Sequence, residues 1–151
     1  MLQKVRSNKI RATGTFAIVA SQYNARYVDA MLRAAKKEIL RGGGKVRVVR
    51  VPGAYEIPVV AAKLVRSQDC SAILCLGVIL RGATTHAQHI GEAVSDALMQ
   101  IQVQHEVPVI HEVLLLENHQ QAIERCLDKK HNRGVEAAQT ALEMARVMAG
   151  L

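Results

Sequence analysis

The chain has 151 residues, half of them hydrophobic, which is enough apolar material for the sizeable core of one domain spanning 1–151. Lys and Arg outnumber Asp and Glu by 20 to 13, giving a net charge of +7. Phe16, Tyr23, Tyr27 and Tyr55 are the only Phe, Tyr or Trp residues, so a basic surface comes with little stacking surface. Such a balance suits nucleic acid, an anionic membrane surface or a phosphorylated small substrate, and only a site can choose among them.

The longest apolar run, residues 72–80 counting Gly77, is far short of the roughly 18 to 20 residues that cross a bilayer, so a soluble protein is expected. The first nine residues lack the apolar segment and cleavage site of a secretory signal, and export is not expected. Cys70, Cys75 and Cys126 form an odd set with no C-x-x-C pair. Neither a disulfide framework nor a zinc knuckle is indicated, and a reducing, cytoplasmic location is expected.

Residues 15–20 (T-F-A-I-V-A) are short, apolar and partly β-branched, as a strand requires. Asn24 then offers an N-cap to a helix whose Val28, Met31, Leu32, Ala35 and Ile39 share one face, and Gly42, Gly43 and Gly44 stop it. Residues 45–51 alternate only partly and read as a strand near a sheet edge, followed by a Pro52-Gly53 turn. Pro58 suits the first turn of a helix running to about Ser67. Residues 71–80 read as a strand buried on both faces. After a polar loop, 81–85, comes a helix with Ile90, Ala93, Val94, Ala97, Leu98 and Ile101 on one face. A fourth strand is expected over 107–116, and Asn118 caps a short helix through about Cys126. Gly134 precedes a last helix carrying Val135, Ala138, Leu142, Ala145 and Met148.

Strands alternating with helices imply parallel pairing through right-handed crossovers. The expected architecture is a three-layer α/β/α sandwich, flavodoxin-like, with a four-stranded parallel sheet and helices on both faces. Ligands in such sheets sit beyond the carboxyl ends of the strands. Residues 21–24, 52–56, 77–86 and 113–118 are therefore the segments to inspect.

Neither G-x-G-x-x-G, G-x-x-x-x-G-K-[ST] nor G-x-S-x-G occurs. The informative loop is R-G-A-T-T-H at 81–86, between the most apolar strand and the strongest helix. Gly82 and Ala83 let an anion approach the main chain, Thr84 and Thr85 supply hydroxyls, and the free N–H groups of a helix start add positive potential. His86 closes the loop, and an imidazole, titrating in general near about 6.5, suits proton transfer at neutral pH; a capping or surface histidine is the plainer reading. His89 lies three residues on, the spacing of a two-His metal pair, but metal sites usually need a third ligand and no carboxylate is obviously placed. Glu56 near a helix start is either a dipole partner or a group that binds the hydroxyls of a polyol. Tyr23 and Asn24 offer an aromatic wall and an amide. Arg125, Lys129, Lys130 and Arg133 crowd one junction, as solvated helix-end charges or as an arginine fork reaching a phosphate across an interface. Positive charge elsewhere is dispersed and no aromatic ladder accompanies it, so neither a nucleic-acid nor a membrane partner is expected.

These residues carry a resemblance. V-P-G-A-Y-E-I-P at 51–58, L-R-G-A-T-T-H at 80–86, V-P-V-I at 107–110, Q-A-I-E-R at 121–125 and K-x-x-N-R-G-V-E-A-A at 129–138 resemble, in order and spacing, the lumazine synthase family. The resemblance implies condensation of 5-amino-6-(D-ribitylamino)uracil with 3,4-dihydroxy-2-butanone 4-phosphate in riboflavin biosynthesis, with no cofactor and no metal. It makes His86 the proton-transfer residue, Ala83 and Thr84 the phosphate loop, and Arg125 a phosphate ligand supplied by a neighbouring subunit. By the same resemblance, Tyr23 would stack on the pyrimidine, Ala54, Tyr55 and Glu56 would hold the ribityl chain, and Val78, Ile79 and Leu80 would line the pyrimidine pocket. It also implies a homopentamer, and in the form many members take, twelve pentamers closed into an icosahedral shell. His111 stands where the family generally carries Phe or another apolar side chain against the heterocycle, Glu112 where a small residue is common, and Leu114, Leu115 and Leu116 replace a more polar strand end. Those departures motivate the alternative, a non-catalytic lumazine- or flavin-binding protein of the same fold.

Overall fold

A computed structural model describes residues 10–151; the reading of the N-terminus as free of an export signal lies outside the described residues. Four strands, β1 (Thr15–Ser21), β2 (Lys45–Val51), β3 (Cys70–Leu80) and β4 (Val109–Leu116), pair in parallel in the order β2-β1-β3-β4. Helices α1 (Ala25–Arg41) and α5 (Arg133–Ala149) cover one face, and α2 (Ile57–Arg66) and α3 (His86–His105) cover the other. The three-layer sandwich expected from the sequence is the fold.

Alternation along the strands sorts the core into two halves. Phe16, Ile18, Leu74 and Leu76 point toward α1 and α5, where they meet Val28, Met31, Ile39 and Leu142. Ala17, Val19, Ile73 and Cys75 point the other way, onto Ile57, Ala61, Val94 and Leu98. Each fully buried Leu or Ile contributes about 1.5–3 kcal/mol relative to exposure. β3 is flanked by strands on both sides and helices on both faces, so its interior reads as an unbroken apolar run. β2 lies at the edge, which is why Lys45, Arg47 and Arg50 sit among its valines.

Four local expectations are corrected. Asn24 occupies the cap position of α1 but in a left-handed conformation (φ 57°), and its side chain makes no cap. Its amide instead donates to the Val78 carbonyl at 2.8 Å, because β3 overhangs β1 there and leaves that carbonyl without a strand partner. The short helix after Asn118 is only one turn of α-helix, α4 (His119–Ala122), continued by a π-type turn, Ile123–Leu127; Asn118 does cap it, accepting from the Gln121 N–H. Gly134 lies inside α5, not before it. Its Cβ would stand 2.1 Å from the Met31 carbonyl oxygen, so glycine is what lets α5 close on α1.

The fourth strand begins at Val109, two residues later than expected, since Pro108 has no N–H for a ladder. Pro108 still contributes its carbonyl, which accepts from the Ile73 N–H at 2.9 Å.

Candidate active site

The order β2-β1-β3-β4 sends the chain outward in opposite directions from β1 and β3, and such a switch point opens a crevice at the carboxyl ends of those two strands. A cleft of about 620 Å³ lies there. Its walls come from four segments of the chain. Tyr23 and Asn24 follow β1, the turn Ala54–Glu56 follows β2, and Val78 and Ile79 belong to β3. His86, His89, Ile90 and Ala93 project from the first two turns of α3.

The β1 and β2 ends are laced together. Gln22 N–H donates to Pro52 O at 3.0 Å and Tyr23 N–H to the same carbonyl at 3.0 Å. A Cβ on Gly53 would come within 2.8 Å of the Tyr23 ring, so the glycine seats that ring against the turn. Tyr23 and Tyr55 are each about two-thirds exposed, at 67% and 66%, placing two apolar ring faces where a ligand can cover them. Glu56 accepts from the Gly53 N–H at 3.1 Å, so the helix-start role is real, and the same side chain also lines the cleft.

β3 extends beyond its pairing with β1, which ends at Ala20–Leu76, while its β4 pairing continues to Leu80–Leu116. Backbone groups of alternate residues point to alternate sides of a strand. Val78 and Leu80 therefore direct theirs away from β4, to the side on which β1 has ended.

The loop after β3 is anchored by its arginine. Arg81 N–H donates to Leu116 O at 2.8 Å, and its guanidinium reaches Glu117 at 3.0 Å and Gln88 at 2.9 Å. Gly82, Ala83 and Thr84 are exposed, and a Cβ on Gly82 would meet nothing within 4 Å. The Thr84 hydroxyl accepts from the His86 N–H at 3.3 Å. The His86 ring makes no hydrogen bond with a described residue and is free to meet a ligand.

Of the residues singled out from sequence, Tyr23, Ala54, Tyr55, Glu56, Val78, Ile79 and His86 converge on this one cleft. Leu80, Ala83 and Thr84 lie on the adjoining strand end and loop. Arg125 and His111 do not line it. Arg125 sits half-buried on the π-type turn and makes no hydrogen bond or ion pair with a described residue.

His111 lies on β4 under α3. Its Nδ1 accepts from the Val113 N–H at 3.2 Å, which leaves the proton on Nε2 to donate to Ser95 Oγ at 2.7 Å. Although part of the ring reaches solvent, desolvation by the surrounding protein lowers its pKa. Glu112, 5% exposed, points to the opposite face and accepts from Arg133 Nε at 2.7 Å, while Arg133 also holds Glu136 at 2.8 Å. Burial raises the Glu112 pKa and the Arg133 guanidinium pulls it back.

Gly53, His89, Ile90 and Ala93 are cleft residues that the sequence did not assign to ligand binding. The i, i+3, i+4, i+7 spacing of 86, 89, 90 and 93 is the signal that could have found the last three. Among the described residues no three or more His, Cys, Asp or Glu side chains group as a metal site would. Desolvation pushes the buried thiols of Cys75 and Cys126 up to about 12, far from nucleophilic use.

The profile of the 6,7-dimethyl-8-ribityllumazine synthase family matches residues 13–149. The chain belongs to this family. A 6,7-dimethyl-8-ribityllumazine synthase of Aquifex aeolicus (strain VF5) is 39% identical over 152 residues, covering 98% of this chain and 99% of that one. Those of Stenotrophomonas maltophilia (strain R551-3) and Xanthomonas oryzae pv. oryzae (strain PXO99A) are each 38% identical, covering 88% and 90% of both partners. The lumazine synthase likeness thus spans all four cleft segments, the π-type turn and α5, instead of one motif.

Proposed function

We propose that the protein, as one domain over 1–151, condenses 5-amino-6-(D-ribitylamino)uracil with 3,4-dihydroxy-2-butanone 4-phosphate to 6,7-dimethyl-8-ribityllumazine, a transferase step of riboflavin biosynthesis. The observation that carries this reading is the convergence of Tyr23, Glu56 and His86 on one cleft at the switch point of a lumazine synthase chain. The pyrimidine lies against Tyr23 and the overhanging segment Val78, Ile79 and Leu80, whose backbone edge away from β4, apart from the Val78 carbonyl held by Asn24, suits the donors and acceptors of a uracil. The ribityl chain follows Ala54, Tyr55 and Glu56, where a carboxylate meets hydroxyls. Phosphate rests on Ala83 and Thr84, with Arg125 reaching it from an adjoining subunit. His111 meets the heterocycle across the same boundary.

The chemistry follows from position. The uracil amine attacks the ketone, water leaves to give an imine, phosphate is eliminated, and the ribitylamino nitrogen closes the ring with loss of a second water. Holding two reactants in one orientation supplies several kcal/mol of such a barrier, and His86 carries protons. Neither a cofactor nor a metal is needed, and the partners are these two small molecules. The assembly is a homopentamer, with a shell of twelve pentamers as its larger form, in the cytoplasm; among the described residues no helix is long and apolar enough to cross a membrane.

The test is to mix purified protein with both substrates and follow lumazine fluorescence. Product formation is expected. Tight binding of lumazine or riboflavin with no product, at high protein concentration, would identify a non-catalytic binding protein instead.

A further inference from the structure

A second imidazole stands in the cleft. His89 lies one helical turn along α3 from His86, and both rings line the same cavity. Their surroundings differ. His89 Nε2 is 3.3 Å from Thr85 Oγ1, the hydroxyl that ends the exposed 82–85 loop, whereas the His86 ring has no such bond with a described residue. His89 therefore joins the cavity to the loop that offers an anion its backbone and hydroxyl donors. The other titratable groups on the cavity wall are Glu56, Tyr23 and Tyr55, and Glu56 is engaged by the Gly53 N–H.

We propose that His89 is a second proton-carrying residue of this cleft, acting as general acid toward the departing phosphate. The proposal rests on the reading above, in which phosphate is expelled from a carbon ester. A phosphate ester at neutral pH carries close to two negative charges, so C–O cleavage without a proton would release a trianion. In the step assigned to the pair, the carbon next to the imine loses its proton to His86. The C–O bond on the following carbon breaks, and its electron pair passes to the bridging oxygen. That oxygen takes a proton from the His89 imidazolium, leaving hydrogen phosphate and a neutral ring. One proton enters the pair as one leaves, so its total charge is unchanged and the imine-derived carbon skeleton is ready for ring closure.

The test uses the full chain in its assembled form. His89→Gln keeps a polar group for Thr85 but no titrating proton, and His89→Ala leaves room for free imidazole; the position is exposed on a helix, so fold and assembly are expected to match the parent by circular dichroism and sedimentation. The expected result is a kcat lower by about 10- to 100-fold in His89→Gln, with KM for the phosphate substrate moving much less and the alkaline limb of the kcat–pH profile lost. Added imidazole restores His89→Ala in proportion to its protonated fraction. A kcat and pH profile equal to those of the parent, or an Ala variant deaf to imidazole, overturns the role of His89 while leaving the synthase reading intact. A parent protein that makes no lumazine overturns both.

Discussion

His111 illustrates how a single residue couples pH to stability. Desolvation by the surrounding protein lowers its folded-state pKa below the ordinary 6.5, and the Val113 N–H pointing at Nδ1 suits the neutral ring. A base whose folded pKa is depressed binds its proton more weakly in the native state, so stability is lost as pH falls through and below the ordinary value. His111→Gln is expected to narrow the difference in Tm between pH 7.5 and pH 5.5; an unchanged difference would show that the ring does not titrate on unfolding. The two residues assigned to chemistry separate by kinetics. His86→Ala is expected to slow turnover by about 10- to 100-fold with assembly intact, since the acid–base contribution is modest beside positioning. Arg125→Ala is expected chiefly to raise KM for the phosphate substrate, because a guanidinium fork binds phosphate in ground state and transition state alike. Full activity in both variants would remove these residues from the site.

At the scale of elements, the junction leading into α5 is decided by Asn132 and Gly134. The buried Asn132 side chain accepts from the Gly134 N–H at 2.8 Å and donates to the Cys126 carbonyl at 2.8 Å, so one amide caps α5 and ties it to the π-type turn that carries Arg125. Gly134 then packs against the α1 backbone at Met31. Gly134→Ala, which would gain helix propensity on an exposed helix, is expected here to destabilise by at least about 2 kcal/mol, read from urea unfolding, because backbone cannot yield as a flexible side chain can. A neutral or stabilising effect would mean that the α1–α5 contact is looser than its geometry. The N-R-G segment was visible in the sequence, but its glycine read as a boundary. Nothing local distinguishes a glycine that ends a helix from one that lets two helices touch.

For the molecule as a whole, α3 carries a stripe that the fold does not bury. Met99 and Val103, four residues apart, are 58% and 66% exposed, and such a stripe suits contact between copies of the chain. Val103→Glu is expected to lower the sedimenting mass toward that of one 16.5 kDa chain and to abolish lumazine formation, since the site then loses everything a neighbouring subunit would supply, His111 as well as Arg125, neither of which lines its own chain's cleft. An assembled, active variant would place the interface elsewhere.

Period and punctuation are local properties, and they sufficed for the order of strands and helices, the edge position of residues 45–51, the buried 71–80 strand and the loops at the carboxyl ends where the cleft lies. The same local text, in five ordered motifs, pointed to the family. What the sequence could not yield was the set of meetings between distant groups. The Asn24 amide found the Val78 carbonyl because one strand outruns its neighbour, and Tyr23, Glu56 and His86 share one cleft because packing brings the ends of β1, β2 and β3 together. Propensity and pattern are written within a few residues, whereas hydrogen-bond choice, burial and convergence depend on which remote segments tertiary packing brings within a few ångströms.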